Sequence, residues 1–280
     1  MECHHDPGKS MLLSLSSSSS NSHLTMPGVG GHNMVDLRSL ILYKACRNTC
    51  IYNPTTRQSL TLPAVKSNIF AQQDSLKYVF YYLGHDPVLD QYKVVCNVAL
   101  SSQKDFKRIT SEHWVLVLKA GDSWTKKEFD QSHLPTKLGS CSNGVIHYLA
   151  TTSASRPTNL FCFDVRSQEF NMIKEVPEFG EHVRVIEYGG KLTVFDHTHL
   201  PQNGLVDLWV LEDGGKWSRK PLALQPSQMH LVDGINQLVL KCTTQNGDII
   251  LVPNPMPSSS YFLFYDPQKN DLQKVNVSVT

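Results

Sequence analysis

The sequence predicts an all-β protein, a β-propeller-like array of four-stranded antiparallel blades, and three observations carry that prediction. From about residue 34 onward, short runs of β-branched and aromatic residues alternate with turn clusters of Gly, Pro, Asn and Asp. No window of helical length keeps an apolar stripe at three-to-four spacing without a proline or glycine interrupting it. Several of the runs also repeat one design at a spacing of about 50 residues, which is the scale of propeller repeats.

Taken in order, "NTCIYNPTTRQSLTLP" alternates, turns at Asn53-Pro54 and restarts. "SLKYVFYYLGHDPVLDQYKVVCNVAL" is two strands around a turn that holds Gly84, Asp86 and Pro87. "SEHWVLVLKAGDSWTKKEF" connects through Gly121-Asp122, and "SCSNGVIHYLATT" carries Asn143-Gly144, the strongest short-range hairpin signal. "NLFCFDVRSQEFNMIKEVP", "EYGGKLTVFDH", "VDLWVLEDGGKWSRKPL", "INQLVLKCTTQNGDIILVP" and "YFLFYDPQKNDLQKVNV" complete the series.

Three of these pairs share a plan: an apolar run, an acidic residue at the turn (Asp164, Asp213, Asp266), polar residues, then a bulky residue (Phe170, Trp217, Leu272) opening the return strand. Asn53 fits the acidic position, and the markers fall at 213 − 164 = 49 and 266 − 213 = 53 residues. An Asp or Asn side chain accepts from backbone N–H groups two residues on, and a following proline presets φ, so Asn53-Pro54, Asp86-Pro87 and Asp266-Pro267 read as structural turns. One antiparallel sheet cannot bury both faces, so several stack. At roughly 45 residues each, five to six blades are expected.

Residues 1–33 hold the serine tract Ser16–Ser20, the histidines His4, His5, His23 and His32, and the glycines of "PGVGGHN". That composition buries too little apolar surface to offset its ordering entropy, so a disordered tail is expected ahead of an ordered domain over 34–280. Lys+Arg at 26 against Asp+Glu at 25 gives a net charge of +1, which disfavours nucleic acid and anionic membrane surfaces as partners. No apolar run approaches the roughly 20 residues that span a bilayer. Seven cysteines, mostly inside apolar runs, read as free thiols of an intracellular protein, cytoplasmic or nuclear. Cys46 and Cys50 have a metal-like spacing but no matching second pair, so no zinc is expected.

Six motifs now stand in a recognisable order: "NPTTRQSLTLP", "YYLGHDPVLDQYKVVC", "SNGVIHYLA", "LFCFDVRSQEFNMIKEVP", "GGKLTVF" and "LWVLED…KWSRK". Over roughly residues 38–275 the chain resembles the plant F-box-associated domain in its type 3, propeller-like form. The resemblance implies a protein-interaction module like the substrate-recruiting part of SCF-type ubiquitin ligases. Such proteins usually carry an N-terminal F-box that docks on a Skp-type adaptor, through a leucine-proline opening and amphipathic helices. Residues 1–40 hold the serine and glycine tracts instead, so adaptor docking is not expected of them. Fold alone does not decide function. A small-molecule-binding or hydrolytic propeller enzyme, and a shortened paralogue without retained activity, are the alternatives.

The sequence lacks the nucleophile elbow, phosphate loop, zinc-protease motif and dinucleotide fingerprint, so neither catalysis nor a cofactor is expected. Asp164, Asp196, Asp213 and Asp266 could suggest a carboxylate cluster, but the repeat assigns each to the corresponding turn of a different blade. In "FDHTHLP", His197 and His199 alternate and could share a face, within what reads as an inter-strand loop. They, with Trp217 just after a turn, are the candidate partner contacts. Trp114, Trp124 and Trp209 read as core, and of the neighbours Tyr81 and Tyr82 one should be buried.

Overall fold

A computed structural model describes residues 11–13, 23–25, 35–45, 48–72, 75–102, 108–153, 158–173, 176–244, 246–255 and 261–276. The chain divides into two compact units, Met1–Val65 and Lys66–Thr280. The first contains a ladder of β1 (Met11–Leu13) with β2 (His23–Thr25) and a four-stranded sheet of β3 (Val35–Leu37), β4 (Leu40–Ala45), β5 (Asn48–Asn53) and β6 (Gln58–Thr61). Apart from β1 and β2, the expected tail over 1–33 lies outside the described residues, as does Cys46.

The second unit holds four sheets. β7 (Ser75–Asp86), β8 (Gln91–Ser102), β9 (Ile109–Val117) and β10 (Thr125–Lys127) form one. β11 (Leu134–Pro135), β12 (Ser140–Ser142), β13 (Val145–Thr151), β14 (Thr158–Asp164) and β15 (Glu169–Ile173) form the next. β16 (Val183–Tyr188), β17 (Lys191–Asp196), β18 (Leu205–Leu211) and β19 (Trp217–Ala223) follow, with the four-residue helix α1 (Leu200–Asn203) between β17 and β18. β20 (Gln237–Thr243), β21 (Ile249–Asn254), β22 (Tyr261–Asp266) and β23 (Asp271–Asn276) close the series. Every pairing is antiparallel, and the described residues form five sheets of four or five strands, the blades of a β-propeller; four are meanders in chain order, whereas in the five-stranded one β11 and β12 both pair with β13.

Four hairpins share one turn chemistry. The side-chain oxygens of Asn53, Asp86, Asp164 and Asp266 each accept from the backbone N–H groups two and three residues on, at 2.8–3.3 Å. The residue four positions on then takes a left-handed conformation in all four, at Arg57 (φ 56), Asp90 (φ 47), Gln168 (φ 60) and Asn270 (φ 53). Pro54, Pro87 and Pro267 follow the capping residue in three of them, where a fixed φ costs nothing and no donor is needed. Asn143 (φ 49) and Gly144 (φ 80) form the tight link from β12 to β13.

Three sequence-based assignments are corrected. Gly84 lies inside β7 rather than in the turn; a Cβ there would stand 2.6 Å from Val165 Cγ2 and 2.9 Å from Ile146 Cδ1, so close packing requires the glycine. Asp213 does not cap its turn: Gly214 (φ 94) and Gly215 (φ 80) make that hairpin by themselves, with Gly215 N–H donating to Glu212 O at 3.0 Å. Asp196 and Asp213 belong to the same sheet, not to two blades, because Asp196 ends β17 and Asp213 follows β18.

Alternating burial along the strands feeds two main cores of the second unit. Phe195, Leu208, Leu240, Leu251 and Tyr265 anchor the core between the last two sheets. Tyr82, Val95, Tyr148, Phe161 and Phe163 anchor the core between the two sheets before them, where Tyr82 stacks on Tyr148 at 4.6 Å. Tyr81, on the other face of β7, stays half-buried near Trp124.

The opening strand of the sheet that contains β13 is broken. β11 pairs with the far end of β13 and β12 with its near end, leaving residues 137–139 between them out of the ladder. Thr136 N–H still donates to Leu149 O on β13 at 2.9 Å, so the ladder is interrupted after Thr136. Gly139 approaches His147 O so closely that a Cβ would lie 2.6 Å from it. The break presents Lys137 away from the sheet register.

Candidate functional site

A cleft of about 90 Å³ opens between β16, β20 and the break that carries Lys137. Its polar lining is Lys137, His182, Arg184, His197 and Gln237, and Leu238 supplies apolar wall. Among the described residues no carboxylate lines it. Burial lowers the Lys137 ammonium pKa, Arg184 lowers it further, and Glu181 pulls it back only in part. Two cationic side chains thus share a small, partly dehydrated space.

A clamp at the end of β17 builds one side of this cleft. The Asp196 carboxylate accepts from Gly180 N–H at 2.7 Å and from Thr198 N–H at 3.0 Å, and Thr198 Oγ1 in turn accepts from His182 N–H at 3.0 Å. His197 N–H donates to His182 O at 3.0 Å, which brings the two imidazoles to a ring separation of 6.0 Å. Gly180 has no room for a side chain: a Cβ would sit 2.1 Å from Thr198 Oγ1.

His197 itself is 4% exposed, and its Nε2 lies 3.1 Å from Leu238 O. A carbonyl only accepts, so Nε2 carries the proton and Nδ1 presents a lone pair. Nδ1 is buried and has no hydrogen-bond partner. Burial lowers the pKa of this imidazole to about 4, with His182 and Lys137 pushing the same way and Asp196 and the Leu238 carbonyl against it. The ring is neutral at physiological pH.

His199 does not join it. It is exposed at the start of α1, where its carbonyl accepts from Asn203 N–H at 2.9 Å. The chain leaves the strand after Asp196, so the alternation that would place both histidines on one face ends before either. His197 is therefore a buried cleft residue rather than part of a solvated loop. Trp217 is half-buried with Trp209 in an apolar cluster, its ring 6.0 Å from Phe179, so its surroundings are those of core packing. Among the described residues no group of three or more His, Cys, Asp or Glu could hold a metal ion.

The β7–β8 turn at Asp86-Pro87 is an electrostatic knot. Burial pushes the Asp86 carboxyl pKa up, but the Val88 and Leu89 N–H groups and the Arg166 guanidinium outweigh it and hold it below its ordinary value. Lys93, 2% exposed, donates to Val165 O at 2.5 Å. Its ammonium pKa is lowered by burial against the attraction of Asp86. These contacts tie the β7–β8 hairpin to the β14–β15 turn, and leave Val88 and Leu89 exposed at the tip.

Lys137, His182, Arg184 and Gln237 were not legible in the sequence as a site. They come from three sheets and share no motif. The available signal was "LPTKLGS", in which Pro135 and Gly139 bracket a lysine and mark an interrupted strand.

With the geometry in hand, comparison with known proteins matches residues 3–280 to the family described as the F-box associated beta propeller domain. The chain is 60% identical over 269 residues to At5g62660 of Arabidopsis thaliana, whose name places it with the F-box proteins; the match covers 94% of this chain and 70% of that one. It is 44% identical over 301 residues to the F-box/LRR-repeat protein At2g40920 of the same plant, covering 97% of this chain and 68% of the relative. The solved structure of dipeptidyl peptidase 4 from Porphyromonas gingivalis aligns at a TM-score of 0.43 and 7% identity, over 94% of this chain and 40% of that chain. No helix among the described residues is long and apolar enough to cross a membrane.

Proposed function

Because the chain belongs to the F-box-associated β-propeller family, we propose that it recruits a protein substrate for an SCF-type ubiquitin ligase. The observation that carries the reading is the family match across residues 3–280, shared with relatives named as F-box proteins. On this reading the ligase adaptor is engaged by an F-box supplied outside the propeller, and the propeller selects the protein to be modified.

The test compares the chain as it stands with the same chain fused behind an F-box, each used to capture proteins from plant tissue. Both forms are expected to recover one common partner, and only the fusion to recover a Skp-type adaptor and support ubiquitin transfer to that partner in a reconstituted reaction. Recovery of the adaptor by the unfused chain, or no common partner, would overturn the assignment of roles.

A further inference from the structure

We propose that the open edge of β6 is a docking site at which a protein partner adds an extended segment as a fifth strand of the first unit's four-stranded sheet. That the segment belongs to a recruited partner rests on the interaction reading above; the edge itself rests on the sheet. Among the described residues β6 pairs with β5 alone, and it is exposed at all four positions. Leu62 N–H donates to Thr49 O at 2.8 Å, and Thr61 stands opposite Cys50. In an antiparallel ladder every second residue turns its backbone groups to the same neighbour. Leu60, like Leu62, therefore faces β5, and the N–H and C=O groups of Ser59 and Thr61 face outward. These are the donors and acceptors that strand addition uses.

Two further observations point the same way. Natural edge strands are guarded by charges or proline, and the outer strands of the other four sheets follow that rule, with Lys127 in β10, Glu169 in β15, Pro221 in β19 and Lys274 in β23. β6 reads Gln-Ser-Leu-Thr and has neither. Val35, Leu42 and Ile51 stand opposite one another in successive strands as a buried apolar row, and the row ends at Leu60, which is 57% exposed. An added strand continues the row with an apolar residue opposite Leu60, in a non-hydrogen-bonded pair where cross-strand side chains approach most closely. The occupant is a flexible segment rather than a second copy of the chain. Four residues at ~3.4 Å each give about 14 Å of edge, and two rigid bodies meeting only along it fall far short of the roughly 800 Å² per partner that a stable interface buries.

The experiment follows amide hydrogen exchange by NMR in the full-length chain, with a capped pentapeptide of threonine around a central valine as the probe. Saturating peptide is expected to slow exchange at Ser59 and Thr61 at least tenfold, while Leu60 and Leu62, already bonded to β5, stay as they were. The same peptide N-methylated at its second and fourth residues is expected to protect neither. Ser59→Pro deletes one outward donor without touching the bonds to β5 and is expected to abolish protection at Thr61, with continued protection of Leu60 and Leu62 as the sign that the ladder is intact. Leu60→Lys keeps every backbone group and is expected to weaken the peptide at least tenfold. No slowing at Ser59 and Thr61, equal slowing by the N-methylated peptide, or unchanged binding to both variants overturns the site. Protection of Ser59 and Thr61 that grows with protein concentration in the absence of peptide assigns the edge to a second copy and overturns it as well. A last arm repeats the capture from plant tissue with Ser59→Pro, where loss of the common partner is expected. If that partner is retained, the interaction reading stands and β6 is not its docking site. If the peptide binds but no common partner is found, the interaction reading fails while the edge stands.

Discussion

The second unit holds two histidine pairs that lie close in space and differ in how completely their nitrogens are satisfied. In the first, His113 (2% exposed) and His133 (0% exposed) stack at 4.7 Å inside an aromatic nest of Phe129, Tyr148, Phe161 and Phe170. His133 Nδ1–H donates to Gln131 O at 2.8 Å, and its Nε2 accepts from the Tyr148 hydroxyl at 2.9 Å. Ser111 Oγ accepts from His133 N–H at 3.1 Å, which directs the hydroxyl proton to His113 Nε2 at 3.2 Å, while His113 Nδ1 reaches Asn97 Oδ1 at 2.9 Å. In the second pair, His182 and His197, the inner ring keeps one buried nitrogen, His197 Nδ1, without a hydrogen-bond partner. The lesson is that burial of a histidine does not distinguish scaffold from site. In the first pair every ring nitrogen is engaged, whereas in the second the buried His197 Nδ1 has no partner.

The comparison breaks most visibly where the nest is emptied. Phe161 stacks on His133 at 4.0 Å and is fully buried. Phe161→Ala is expected to cost about 3–5 kcal/mol, read as the shift in a denaturant midpoint. A loss under about 1 kcal/mol would mean the nest is not the rigid half of the pair.

Acid should act next, on the buried histidines of both pairs. Burial, reinforced by His133, lowers the His113 pKa to about 3, and burial lowers that of His133 to about 4. Both rise to about 6.5 on unfolding. A pKa depressed in the folded state gives stability that is complete above pH ~6.5 and is lost as pH falls through the folded values, because the unfolded chain binds the protons first. Thermal midpoints are therefore expected to fall steadily from pH 6.5 toward 4. His113→Gln should lower the midpoint at pH 7 and flatten that slope; an unchanged slope would remove the nest as its source.

Smaller effects sharpen the contrast. Tyr148→Phe removes the donor to His133 Nε2 and strands a buried acceptor, an expected loss of about 1–3 kcal/mol in chemical denaturation. Gly84→Ala forces Val165 and Ile146 apart at the edge of the same core and should cost about 1–3 kcal/mol by the same measurement. Lys137→Gln sits at the other extreme. Burial and Arg184 already disfavour its charge, so stability is expected to stay within about 0.5 kcal/mol of the parent or rise. A large loss there would show that the lysine holds the fold.

Much of the fold was legible because its causes are local. The capping oxygens of Asn53, Asp86, Asp164 and Asp266 act on N–H groups two and three residues away, so sequence alone fixes those turns, and the alternation between them fixes which face of each strand is buried. The spacing of the repeats bounded the number of sheets at five to six, and the described residues form five. Asp213 misled because an acidic residue at the repeat position does not reveal that Gly214-Gly215 closes the hairpin without it.

The site was not legible in this way. Whether His197 faces water or Leu238 O depends on a sheet 41 residues further along the chain. Whether Lys137 is an ordinary surface lysine depends on the interruption between β11 and β12 and on Arg184 arriving from β16. Local hydrogen bonding and hydrophobic period are properties of consecutive residues, and the sequence by itself determined them. The meeting of cations, an open imidazole nitrogen and a small cavity arises only when separate sheets pack, and that was decided by the tertiary structure.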